Sequence, residues 1–117
     1  MAAIDSESGT ASVATSGNLT VTYNPSAVFY LENVTLHLGN TVSTTGCFLT
    51  VTLDSTDGSA YDTTLLKHDL GSGQEQDIVY LPDLALLCQS GDQIVAKWDN
   101  TDSTTTTAAI RIVSRLA

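Results

Sequence analysis

Positive charge is scarce in this chain. Lys67, Lys97, Arg111 and Arg115 are its only lysines and arginines, against thirteen acidic residues and for a net charge of −9. A basic groove for nucleic acid is not expected, because an anionic surface repels phosphate and anionic lipid alike. Charge of either sign is thin, at 15 % of residues against the ~25 % of ordinary globular chains. Long apolar runs are missing as well: none approaches the ~20 residues of a membrane-crossing helix. Cys47 and Cys88 are the only cysteines, too few for a disulfide-built scaffold, and each lies in an apolar, strand-like setting. Both are expected to be reduced and buried. Residues 1–17 have neither the basic nor the apolar region of a secretory leader, so none is expected. Nucleophile and phosphate-loop motifs are absent, as is His-Glu-x-x-His, which predicts a protein that is not an enzyme and uses no cofactor or metal.

Serine and threonine fill the space left by charge, and β-branched threonine favours exposed strand faces. The 117 residues fit one domain able to bury a modest core. The strongest local signal runs from Leu84 to Trp98. An apolar stretch, Leu84 to Leu87, meets the turn residues Ser90-Gly91-Asp92. Alternation then places Ile94, Ala96 and Trp98 on one face and Gln93, Val95 and Lys97 on the other. Similar alternation marks Leu19–Tyr23, Val28–Leu38, Cys47–Leu53, Ile78–Leu81 and Ala108–Leu116. No helical period persists for three turns. Seven to eight short strands separated by turn signals predict an all-β antiparallel sandwich of jelly-roll or Greek-key type. Its core is expected to gather Trp98 with Ile94, Leu49, Val51, Val34, Leu36, Ile110 and Ile112. Residues 18–117 are expected to make that single domain. Residues 1–17, small and polar, are expected to form a flexible arm that orders only on a neighbouring subunit.

Candidate sites weigh toward bland readings. His37 and His68 sit on polar strand faces without ligand-spaced partners, so surface or interface roles are expected of both. Asp54-Ser55-Thr56-Asp57-Gly58 with Asp62 has the look of a cation loop. Its twelfth position, Leu65, cannot supply the acidic ligand, and an ordinary turn is expected there and at Asp99–Asp102. Tyr23, Tyr30, Tyr61 and Tyr80 are scattered over separate strands, which favours core or interface positions over a sugar-stacking platform. Val28, Phe29, Tyr30 and Leu31 are apolar on both strand faces, and they are expected to form a subunit or capsid contact.

The segment from Val28 to Trp98 resembles small jelly-roll-like structural modules of tailed-bacteriophage virions. The likeness rests on Phe29–Leu38, on Phe48–Ser55 with Tyr61–Leu66, and on Gly91-Asp92-Gln93-Ile94-Val95-Ala96-Lys97-Trp98. It implies a structural virion protein, foremost a capsid decoration (cement) protein that binds and stabilises the phage head. A neck, tail or fibre component is the alternative, as is a carbohydrate- or receptor-binding sandwich. The implied partners are the major capsid protein or other virion proteins and further copies of the chain, as a trimer, with no nucleic acid and no membrane. The implied location is the virion, assembled in the host cytoplasm. Such modules act through surfaces, so no functional residue carries over.

Overall fold

Alternation becomes strand along most of the chain, and residues 4–13 form a strand where a flexible arm was expected. The computed structural model describes residues 3–83 and 85–117, so Met1, Ala2 and Leu84 of the expected arm and apolar run lie outside the described residues. Within them run β1 (Ile4–Val13), β2 (Gly17–Tyr23), β3 (Phe29–Leu38), β4 (Phe48–Asp54) and β5 (Thr63–Asp69). They are followed by β6 (Asp77–Tyr80), β7 (Leu86–Cys88), β8 (Gln93–Asn100) and β9 (Thr106–Leu116). A 3-10 turn, Ser59–Tyr61, precedes β5, and a single helical turn, α1 (Leu70–Gly73), follows it.

Sheet A runs in the order β1-β9-β3-β6, with β7 pairing β3 as well. β6 covers Val34–His37 of β3 and β7 covers Phe29–Leu31, so the two lie end to end along one edge. Sheet B runs β2-β8-β4-β5. All pairings are antiparallel, and apart from the β4–β5 and β6–β7 steps each strand is followed by one in the other sheet. The result is a β-sandwich of two antiparallel sheets.

The inner faces of both sheets close on Trp98, which is fully buried. Ile94, Leu49, Val51, Val34, Leu36, Ile110 and Ile112 are buried with it, as the alternation predicted. Tyr23 joins the layers at one end. Its ring packs edge-on to Phe29 at 5.1 Å, while its hydroxyl reaches Asp5 of β1 at 2.9 Å and also Ser114 of β9. Gly91, at φ +96°, makes the turn into β8, and a Cβ there would come within 2.8 Å of the Thr56 hydroxyl.

The expected arm is corrected. Ile4–Val13 is paired residue for residue with Thr106–Arg115 of its own chain. What orders it is a backbone ladder along β9, which apolar content does not reveal. Gly9 has a packing reason: a Cβ there would approach Val21 of the opposite sheet to 3.0 Å. β3 holds a second surprise. A bulge between Leu31 and Asn33 shifts the inward phase from Phe29 and Leu31 to Val34, Leu36 and Leu38. Phe29 and Leu31 are therefore core residues, fully buried, and cannot form the expected contact.

Trp98 generates a direct test of this core. Replacing it with Ala is expected to cost ~3–5 kcal/mol in a urea titration. The Nε1 of Trp98 has no hydrogen-bond partner among the described residues. Trp98→Phe, which keeps an aromatic ring and removes that unpaired donor, is therefore expected to cost clearly less than Trp98→Ala.

Candidate functional site

The outer faces of the two sheets differ in chemistry. On sheet A the register brings Ile4, Arg115, Tyr30 and Leu87 side by side across β1, β9, β3 and β7. Further along, Ser8, Arg111, Thr35 and Val79 form a parallel row across β1, β9, β3 and β6. Leu81 continues β6, 64 % exposed; Val79 and Leu87 are 62 % and 57 % exposed. Arg115 lies over the Tyr30 ring at 4.5 Å and donates through Nε to Glu32, the bulged residue, at 2.8 Å. Of the four residues expected as a contact, Val28 is exposed, Tyr30 is half-buried, and Phe29 and Leu31 point inward. The exposed apolar neighbours on this face, Leu87 beside Tyr30 and Val79 beside Thr35, come from β7 and β6. Sequence reading missed them because β6 and β7 lie far from β3 along the chain.

Sheet B carries an open groove of about 540 Å³ on its outer face. Phe48, Thr50, Thr52 and Asp54, alternate residues of β4, run along it. Thr50 is flanked in register by Lys67 of β5 and Lys97 of β8. The Lys67 ammonium sits 4.5 Å from the centre of the Phe48 ring, and Lys97 is 3.7 Å from Asp99. Asp62 and Val95 complete the lining. All four basic residues thus stand on the two open faces, Arg111 and Arg115 on sheet A and both lysines on sheet B.

The histidines make pairs and no larger cluster. His37 Nδ1 meets Asp77 Oδ1 at 2.6 Å across β3 and β6, and His68 Nε2 meets Glu75 Oε1 at 2.6 Å. Among the described residues, no group of three or more His, Cys, Asp or Glu is placed to hold a metal ion. Cys47 and Cys88 are both free and buried. Cys47 precedes the start of β4 beside Asn100, while Cys88 pairs with Phe29 at the opposite end of the sandwich, which keeps them apart. Burial, with Asp92 adding to it, pushes the Cys88 thiol up to about 12, so it stays protonated at neutral pH.

The acidic loops turn out to be loop staples. Asp102 accepts from the backbone N–H of Ser43, Thr44 and Thr104 and from the Thr44 hydroxyl. Asp92 accepts from the N–H of Thr56 and Gln89, and Asp62 from that of Ser55. Asp69 accepts from Gly46 and Gly71 and caps α1. These carboxylates spend their lone pairs on separate strand connections instead of converging on one point.

No family model matches the sequence, and no curated protein does. Solved structures do resemble it. A chain of the cyanophage Pam1 capsid asymmetric unit superposes with a TM-score of 0.54 at 13 % identity, over 99 % of this chain and 86 % of that one. The likeness is one of fold. The Yersinia pseudotuberculosis-derived mitogen gives 0.49 at 15 % identity, over 100 % and 87 % of the two chains. FlhE gives 0.44 at 9 % identity, over 98 % and 96 %.

The Asp102 staple sets an acid limit. Hydrogen bonds from the Thr44 hydroxyl first, then from the Thr104 N–H, hold its carboxyl at about 2 against an ordinary 3.8. A carboxyl whose folded pKa is depressed stabilises the fold fully above its unfolded value, and that stability is lost as pH falls toward the folded one. The urea midpoint is therefore expected to fall between pH 3.8 and about 2. Asp102→Asn is expected to lower the midpoint at neutral pH and to flatten that part of the profile.

Proposed function

We propose that this chain is a structural protein of a tailed-bacteriophage virion: a decoration protein that sits on the head as a homotrimer and stabilises it. The observation that carries this reading is the outer face of sheet A. Val79, Leu81 and Leu87 stand well out of the core there, on a chain with a net charge of −9. Apolar side chains gathered on one face and bordered by Arg111 and Arg115 suit a contact that is dry at its centre and polar at its rim. The fold likeness to a chain of a phage capsid supports the setting. So does the acidity, which keeps many copies away from a packaged genome during assembly. The role is exercised by surfaces, without a chemical step or a cofactor. A neck, tail or fibre position would use the same face.

β1 enters this reading differently from a free arm. One side of its backbone is paired with β9, so it braces sheet A as an edge strand of its own chain. The contact instead falls to β6, β7 and the start of β3.

Leu87→Asp and Val79→Asp test the assignment, since both side chains are exposed and neither supports the core. The native protein is expected to sediment as a trimer and to co-sediment with heads of the encoding phage. Each substitution is expected to weaken head binding by about tenfold or more while leaving the thermal midpoint close to native. Unchanged binding by both variants would remove sheet A from the contact. A native protein that stays monomeric and ignores heads would overturn the reading.

A further inference from the structure

The groove on sheet B lies across the sandwich from the apolar rows of sheet A, and nothing in a shell-docking role calls for it. We propose that this groove binds a neutral oligosaccharide. The chemistry of its floor carries the proposal. Along β4, Phe48, Thr50, Thr52 and Asp54 present an aromatic ring, two hydroxyls and a carboxylate in succession, over about 20 Å of strand. Sugars ask for this combination. A pyranose offers an apolar ring face that packs on an aromatic, and hydroxyls that both donate and accept.

Donors and acceptors are interleaved in the groove. The ammonium groups of Lys67 and Lys97 can donate to ring oxygens on either side of Thr50, and Asp54 and Asp62 can accept from hydroxyls at the far end. Fixed charge argues for a neutral ligand. Two lysines face three aspartates, Asp54, Asp62 and Asp99, and Lys97 is already paired with Asp99. A polyanion would meet uncompensated carboxylates, and a cationic peptide would meet both lysines. An extended peptide would find no backbone edge here, because the groove lies over the face of the sheet and not along its side.

Phe48 is the anchor. It is half-buried on an outward-facing position, where an aromatic is not needed for the core, and Lys67 holds one approach to its ring. Tyr61, 65 % exposed, immediately precedes Asp62 near the Asp54 end and offers a second ring to a longer chain of sugars. Trp98 is fully buried and unavailable to a ligand.

The test is an array of neutral bacterial and plant oligosaccharides, followed by an amide NMR titration of the full chain with each hit. Shifts are expected to centre on residues 48–54, 62–67 and 95–99. Phe48→Ala is expected to weaken binding by about tenfold or more, through lost stacking area. Asp54→Asn, at an exposed position, and Lys97→Gln, at a half-buried one, are conservative changes that keep the test decisive if Phe48→Ala unfolds. Each is expected to weaken binding severalfold with the thermal midpoint unchanged. Leu87→Asp, on the other sheet, is expected to leave sugar binding as it was. No binding to any neutral saccharide at millimolar concentration would overturn the proposal. Binding restricted to polyanions, shifts that map to sheet A, or affinities untouched by all three groove substitutions would overturn it equally. Head binding through sheet A stands or falls separately.

Discussion

A sandwich whose chain keeps crossing from one sheet to the other must satisfy its backbone at the ends, where no ladder can. Asn100 and Asp102 meet that constraint where β8 hands over to β9. Asn100, fully buried, donates through Nδ2 to the carbonyls of Val13 and Thr104, while its Oδ1 accepts from the N–H of Asp102. Asp102 gathers the N–H groups of the β3–β4 connection, and its own carbonyl accepts from the Thr15 hydroxyl between β1 and β2. Three crossings are thus tied to one short segment. A buried, hydrogen-bonded polar network is costly to leave half made, so this corner favours one arrangement of the crossings over alternatives. Asp92 and Asp69 repeat the device at smaller scale on other loops.

With the ends fastened, the two outer faces are free to differ. Sheet A exposes leucine and valine from β6 and β7 beside an arginine stacked on Tyr30. Sheet B exposes hydroxyls, carboxylates and two lysines around Phe48. The core restricts neither face, because alternation assigns every second residue to the inside and leaves the others to chemistry. One thin domain therefore carries two open faces of different chemistry. Serine and threonine suit both, since they hold strand geometry without adding charge.

The fold was largely legible in the sequence, and the surfaces much less so. Ile94, Ala96 and Trp98 after the Gly91 turn announced β8, and the matching alternation in β4 and β9 announced the core that closes on it. β1 was hidden because its evidence is a backbone ladder: Ser6, Ser8 and Thr10 look like linker until β9 lies beside them. The bulge at Glu32 was hidden too, so Phe29 and Leu31 read with Val28 and Tyr30 as a subunit or capsid contact when they are the first core residues of β3. The faces depended on strand order. Thr50 gathers Lys67 and Lys97 only because β5 and β8 both neighbour β4, and Tyr30 meets Leu87 only because β7 pairs β3. Asp102 was visible as an acidic loop residue, but its partners at Ser43 and Thr44 are far away in the chain.

The orientation of the proposed head-bound domain tests the central claim most directly. A reconstruction of decorated heads, at a resolution that separates the two sheets, is predicted to place β9, β3, β6 and β7 against the shell, with the β4 groove facing solvent. Density showing sheet B against the shell and Val79, Leu81 and Leu87 open to solvent would contradict the account.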